Sequence, residues 1–256
     1  MKTKPKVIVF SGYGLNCEAE TKFAFEEAGG KADIVHINDV IADPKMLLKY
    51  QILAMPGGFS YGDDTGSGKA YGNRLNNHLG PILAEFLKRD TLVIGICNGF
   101  QILTAAGILP GALTYNESAR YMVRWVDLKV EGTSPWTKNL KTISVPIAHG
   151  EGKYVPPEEG SMHIAFKYTD GALCEYQHLP MNPNGSAQDI AGVMSADGRI
   201  LGMMPHPERG MFFHQRPDWQ VQKETLKNKG KKLPVYGDGF ALFKNAISYY
   251  NKKVTK

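Results

Sequence analysis

Two hydrophobic rhythms divide the chain. Through the first hundred residues, short aliphatic and β-branched runs alternate with longer stretches of helical spacing, the pattern of parallel strands joined by crossover helices. Residues 6–10, 32–37, 51–56 and 91–96 read as strands. Between them, residues 17–29 predict an amphipathic helix stopped by Gly29-Gly30, residues 44–49 a helix with Pro44 in its first turn, and residues 75–88 a longer helix. Beyond Gly111 the rhythm changes. Residues 121–130, 143–148 and the pair 190–195 and 199–204, joined at Asp197-Gly198, read as strands and hairpins. Residues 180–186 are rich in turn formers, 215–235 are polar, and 240–250 return to helical spacing. The expected fold is α/β: a flavodoxin-like, doubly wound, mostly parallel sheet with an antiparallel extension.

Composition narrows the setting. With 256 residues, 43% of them hydrophobic and 21% charged, the chain has enough apolar material for one full core. A single domain over 1–256 is expected, with a polar excursion around 215–237. No run approaches the roughly 20 apolar residues of a membrane span, and Met1-Lys2-Thr3-Lys4-Pro5 leads straight into the first strand instead of a signal peptide. A cytoplasmic protein is expected. Five of the lysines fall between Lys223 and Lys232, yet no aromatic residues interleave them, so they read as a solvated face and not as a nucleic-acid surface. Three cysteines, Cys17, Cys97 and Cys174, cannot all pair with one another, and none has metal-site spacing, so neither a disulfide framework nor a metal is indicated.

Catalytic chemistry is suggested by Gly95-Ile96-Cys97-Asn98-Gly99, which follows a buried-type strand and opens an apolar helix. This is the nucleophile-elbow pattern with sulfur in place of oxygen: a sharp strand-to-helix turn exposes Cys97, and the glycines allow close approach. The helix N-terminus there favours a thiolate. A cysteine nucleophile needs a base, and the base needs an orienting group. Met204-Pro205-His206-Pro207-Glu208-Arg209 supplies both, because Pro207 disfavours helix at His206, and in extended chain residues two apart share a side. Donors for an oxyanion are offered by Pro56-Gly57-Gly58 after a buried strand, together with the N–H of Asn98. Gln101, one helical turn beyond Cys97, is placed to touch substrate. Read alone, each segment has a plainer meaning: a small buried thiol, a proline turn with a surface histidine, an ordinary glycine turn.

Taken together, the segments resemble class I glutamine amidotransferases, particularly those serving purine biosynthesis. The resemblance rests on Pro56-Gly57-Gly58-Phe59-Ser60-Tyr61-Gly62-Asp63, Gly95 to Gln101, and Gly202 to Arg209. It extends through Asn116-Glu117-Ser118-Ala119-Arg120, Arg124-Trp125, Pro146 to Gly152 and Asn182 to Ser186. It implies Cys97 as nucleophile, His206 as base, Glu208 as its orienter, Gly58 and Asn98 as oxyanion donors, and Gln101, His149 and Gly150 as contacts to glutamine. From the residues alone His149 is as readily structural. The resemblance further implies a glutaminase without a cofactor of its own, feeding ammonia to a synthetase partner that carries ATP and magnesium, with a small accessory subunit beside it. A stand-alone cysteine hydrolase such as a γ-glutamyl hydrolase, and a silent regulatory subunit, are the alternatives. Two stretches depart from the small form of the family: the loop from Ser11 to Cys17 is longer, and Asp64 to Gly72 is closer to the long fused enzymes. Cys17 reads as buried and structural.

Overall fold

The computed structural model describes residues 4–62, 66 and 68–253. Its first half runs β1 (Lys6–Ser11), α1 (Glu18–Glu27), β2 (Lys31–His36), α2 (Ile37–Ala42), β3 (Ile52–Met55), α3 (Lys69–Lys88), β4 (Leu92–Ile96) and α4 (Asn98–Ala105). The second half runs β5 (Ala112–Thr114), β6 (Met122–Val130), β7 (Thr142–His149), β8 (Lys153–Val155), β9 (His163–Thr169), α5 (Ala172–Gln177), β10 (Ile190–Met194), β11 (Ile200–Met203), α6 (Trp219–Asn228) and α7 (Phe240–Lys253).

Among the described residues these strands build a nine-stranded sheet ordered β2-β1-β3-β4-β11-β10-β9-β6-β7, with β5 and β8 paired separately. β2, β1, β3, β4 and β11 are mutually parallel, whereas β10, β9, β6 and β7 follow antiparallel. The chain steps from β1 outward to β2 and then back past β1 to β3 and β4. Right-handed crossovers therefore place α1 and α3 on opposite faces of the sheet. Covered on both sides, β3 and β4 are buried at every residue, which is why their sequences are continuous apolar runs and not alternating ones. α7 closes the α1 face, where Phe243 meets Phe25 edge-on at 4.9 Å between ring centroids.

Several boundaries differ from the sequence expectation. The helix expected at 75–88 begins at Lys69, so part of the glycine-rich stretch after Gly62 is helical; Asp63, Asp64, Thr65 and Ser67 lie outside the described residues. Residues 44–49 form a 3₁₀ turn preceded by α2, whose N-terminus is capped by the His36 ring accepting from the Asn38 N–H. β5, β8, β9 and α5 had no clear periodicity, and the polar excursion contains α6.

The parallel strands decide where chemistry can occur. Because β1, β3, β4 and β11 share direction and lie side by side, with Met55 opposite Gly95 and Met203 opposite Ile96, their carboxyl ends open on one edge. The segments after all four strands, Gly12 to Cys17, Pro56 to Ser60, Cys97, and Met204 to Arg209, converge there.

Candidate active site

Cys97 occupies the turn between β4 and α4 with φ +51°, a conformation that a residue with a side chain seldom adopts. The turn is forced by close packing. A Cβ on Gly99 would lie 1.9 Å from the Met55 carbonyl oxygen, so α4 can seat on β3 only with glycine at that position. The Cys97 N–H donates to the Met203 carbonyl at 2.8 Å, and the thiol points to the Ala148 carbonyl at 3.7 Å.

His206 and Glu208 follow β11. Their side chains are almost wholly buried, and the ring Nδ1 lies 2.6 Å from Glu208 Oε1. The expected neighbourhood is present but its backbone cause differs: Pro207–Arg209 form a 3₁₀ turn, not an extended segment, and the His206 N–H is held by the Pro146 carbonyl at 2.8 Å. Burial works against an imidazolium here. The Glu208 carboxylate and the nearby Cys97 and Cys17 thiols outweigh it, holding His206 well above 6.5. Nδ1 is committed to Glu208, which leaves the buried Nε2 for the neighbouring Cys97 and Cys17 thiols.

Gly58 stands across the site with φ +156°, where a Cβ would fall 2.5 Å from the Gly14 carbonyl oxygen. Two loops pin one another. Asn16 and Cys17 donate main-chain N–H groups to the Gly57 carbonyl, Phe59 donates to Gly14, and the Asn98 side chain accepts from the Ser60 N–H at 3.0 Å. Asn98 also donates to the Gln101 side chain at 2.7 Å, and Gln101 donates onward to the Glu151 carbonyl at 2.7 Å. Gln101 therefore lines the cavity while tying the elbow to the 149–152 segment.

A cavity of about 220 Å³ lies beside Cys97, walled by Gly58, Gln101, His149, Gly150 and Glu151 and partly roofed by Phe59 and Tyr121. The His149 ring is set into a buried polar network. Nδ1 lies 3.1 Å from Asn116 Oδ1, and Nε2 lies 3.4 Å from Asn184 Nδ2, which also donates to the Gly152 carbonyl and the Tyr168 hydroxyl. Burial, chiefly, lowers its pKa to about 3. What His149-Gly150 can offer a substrate is main chain and a neutral ring. The stretches Asn116 to Arg120 and Asn182 to Ser186 entered the sequence reading as part of the family resemblance, and the bracing roles of Asn116 and Asn184 around His149 were not foreseen.

Cys17 was expected to be buried and structural. It is buried, but it also touches the site: Arg209 donates to its sulfur at 3.0 Å, and it lies with His206 and Glu208 in a cluster whose donor atoms all fall within 4.8 Å. Burial, the largest influence, pushes this thiol up. Such spacing could suit a metal ion, but the Glu208–His206 hydrogen bond and the guanidinium on Cys17 already occupy those donors. Cys174 is bonded elsewhere, to the Thr169 carbonyl at 3.6 Å.

A strained cysteine elbow beside a buried His–Glu pair, on this order of strands, defines the fold type of class I glutamine amidotransferases. Residues 4–250 match the CobB/CobQ-like glutamine amidotransferase domain, and the chain belongs to that family. Among its relatives, the phosphoribosylformylglycinamidine synthase subunit PurQ of Methanococcus maripaludis strain C7 is 45% identical, with 98% of this chain and 100% of the relative covered. PurQ of Dehalococcoides mccartyi is 39% identical, with 96% and 98% covered. Among solved structures, PurLQS from Thermotoga maritima aligns at a TM-score of 0.72 and 31% identity, covering 97% of this chain and all of that one. No helix among the described residues is long and apolar enough to cross a membrane.

Proposed function

We propose that this chain is the glutaminase subunit of a phosphoribosylformylglycinamidine synthase. It hydrolyses glutamine to glutamate and passes the ammonia to an ATP-dependent synthetase subunit in purine biosynthesis. Full-length relationship to PurQ subunits supports the reading. The observation that carries its chemistry is the buried His206–Glu208 pair beside the Cys97 elbow.

In this mechanism Cys97 loses its proton to His206 Nε2, and the sulfur attacks the side-chain amide carbon. Main-chain N–H groups of Gly58 and Asn98 receive the oxyanion. The carbon–nitrogen bond breaks as His206 returns the proton to the leaving nitrogen, which departs as ammonia. The same imidazole then takes a proton from water, hydroxide adds to the thioester, and Cys97 is released with glutamate. Glu208 orients the ring and stabilises the cationic form it takes each time it holds the proton. Gln101 and the His149-Gly150 main chain border the amino-acid end of the substrate. ATP and magnesium belong to the synthetase, which acts with a small accessory subunit in the cytoplasm.

The test is covalent. A γ-diazoketone analogue of glutamine should alkylate one cysteine, identified by peptide mass spectrometry as Cys97, with glutamine protecting it. Alkylation of Cys17 or Cys174 instead would remove the proposed nucleophile.

A further inference from the structure

The main chain at Gly58 is held by the loop of residues 11–17. Leu15 and Gly58 form an isolated antiparallel bridge, flanked by the Asn16 N–H donating to the Gly57 carbonyl at 3.0 Å and the Phe59 N–H donating to the Gly14 carbonyl at 2.8 Å. Where the flanking residues of an antiparallel pair make the bonds, the N–H groups of the pair itself face outward. The Gly58 N–H is therefore turned away from segment 14–16, and Gly58 borders the cavity beside Cys97. Any change in the pose of the loop turns that N–H with it.

An aromatic pair fixes the pose. The Tyr61 N–H donates to the Tyr13 carbonyl at 2.8 Å, and the two rings stack with 4.8 Å between centroids and 12° between planes. Tyr13 lies at φ +55° and Tyr61 at φ +59°, a conformation that bulky residues seldom adopt and keep only where their surroundings impose it. Here two helices impose it. The Tyr13 hydroxyl donates to Asn38 Oδ1 of α2 at 3.0 Å, and Arg74 of α3 donates to the same oxygen at 2.7 Å with its guanidinium 4.9 Å over the Tyr13 ring. At Gly12 an added Cβ would fall 2.3 Å from the His36 ring, whose centroid is 5.5 Å from that of Tyr13. Tyr71, also in α3, donates to the Ser11 carbonyl at 3.3 Å.

We propose that Tyr13 is a positioning residue for the reaction: paired with Tyr61 and anchored on Asn38 and Arg74, its ring holds the 57–59 turn in the pose that directs the Gly58 N–H at the oxyanion. The inference rests on the glutaminase reading, in which Gly58 is an oxyanion donor. Tyr13 does not line the cavity, so its influence passes through the turn. An oxyanion donor acts where charge develops, so a small rotation of its peptide weakens transition-state binding and leaves glutamine binding alone.

The test uses the full chain with its synthetase subunit. Tyr13→Asn removes the ring and supplies a residue that tolerates positive φ, so the loop can keep its backbone. Its glutamine-dependent kcat should fall roughly 10- to 100-fold, at unchanged KM and unchanged half-saturating synthetase concentration, while synthesis from ammonium salt stays at the wild-type rate. Tyr13→Phe keeps the ring pair and should hold kcat within about threefold of wild type. Tyr61→Asn should match Tyr13→Asn, and the double variant should be no slower than either single one, because each removes the same pair. An unchanged kcat in Tyr13→Asn, a loss recovered at higher synthetase concentration, or losses that multiply in the double variant would overturn the assignment while the glutaminase reading stands. A wild-type complex that hydrolyses no glutamine removes both.

Discussion

His206 Nδ1 stands 2.6 Å from Glu208 Oε1, and both side chains are buried, at 2% and 0% exposure. Burial alone would keep this imidazole neutral; the carboxylate reverses the preference and holds its pKa well above 6.5. Replacing Glu208 with Gln keeps the shape and removes the charge, so the imidazolium loses its stabilising partner and the pKa of His206 falls. The alkaline limb of kcat/KM, where the leaving nitrogen needs a protonated His206, should move to lower pH. Turnover should fall roughly 10²- to 10⁴-fold, less than for loss of the nucleophile. An unmoved alkaline limb would show that Glu208 does not set the protonation of His206.

Cys17 lies in the His206 pocket, while the proposed nucleophile is Cys97. Removing the Cys17 thiol frees Arg209, which can turn to Glu20, 3.6 Å away in the present arrangement. Cys17→Ala should therefore retain glutamine-dependent turnover, reduced by less than about tenfold, the equivalent of roughly 1.4 kcal/mol. Steady-state kinetics beside Cys174→Ala makes the comparison, and a dead Cys17→Ala enzyme would shift the nucleophile assignment to that thiol.

The sequence exposed the elbow because steric demand leaves so few options beside Cys97: Gly99 is required by the approach of the Met55 carbonyl, and Gly95 by the Gly99 main chain and Leu103. β1, β3 and β4 were legible for a related reason, since strands covered on both faces must be apolar throughout. β9 and α5 were not. Their partners are supplied by distant segments, β6 and β10, so local periodicity carried little of the information. The closeness of Cys17 to His206 was likewise hidden, because it depends on the parallel order of β1, β3, β4 and β11, which brings together residues separated by 192 positions in the Arg209–Cys17 contact.

The glycine at the elbow gives a direct test of packing. Gly99→Ala should destabilise the fold by about 3 kcal/mol or more, because backbone must move to admit a methyl group. Gly80, inside α3, has no atom beyond its chain neighbours and the adjoining helix backbone within 4 Å of an added Cβ, so the cost of Gly80→Ala is confined to the contact with Pro81 that follows it and should stay below that of Gly99→Ala. Urea midpoints at unchanged slope measure both. A tolerant Gly99 would mean that α4 is not seated on β3 as described.

His149 predicts an acid sensitivity of definite sign. Its folded pKa is lowered from 6.5 to about 3, so the unfolded chain takes up a proton that the folded chain refuses. The stability it contributes is complete above about 6.5 and is lost as pH falls towards about 3, at roughly 1.4 kcal/mol per pH unit within that window. His149→Gln has no such proton to take up. The loss of urea resistance between pH 7 and pH 5 should be smaller in the variant than in wild type, and an equal loss would place the acid sensitivity elsewhere.

The most direct test of the central claim separates the two nitrogen sources. Cys97→Ala removes the atom that forms the thioester and little else, whereas free ammonia needs no thioester. Mixed with the synthetase subunit, the variant chain should give no ATP-dependent amidine synthesis from glutamine, yet should support synthesis from concentrated ammonium salt above neutral pH at a rate near that of wild type. Continued use of glutamine by Cys97→Ala would contradict the account.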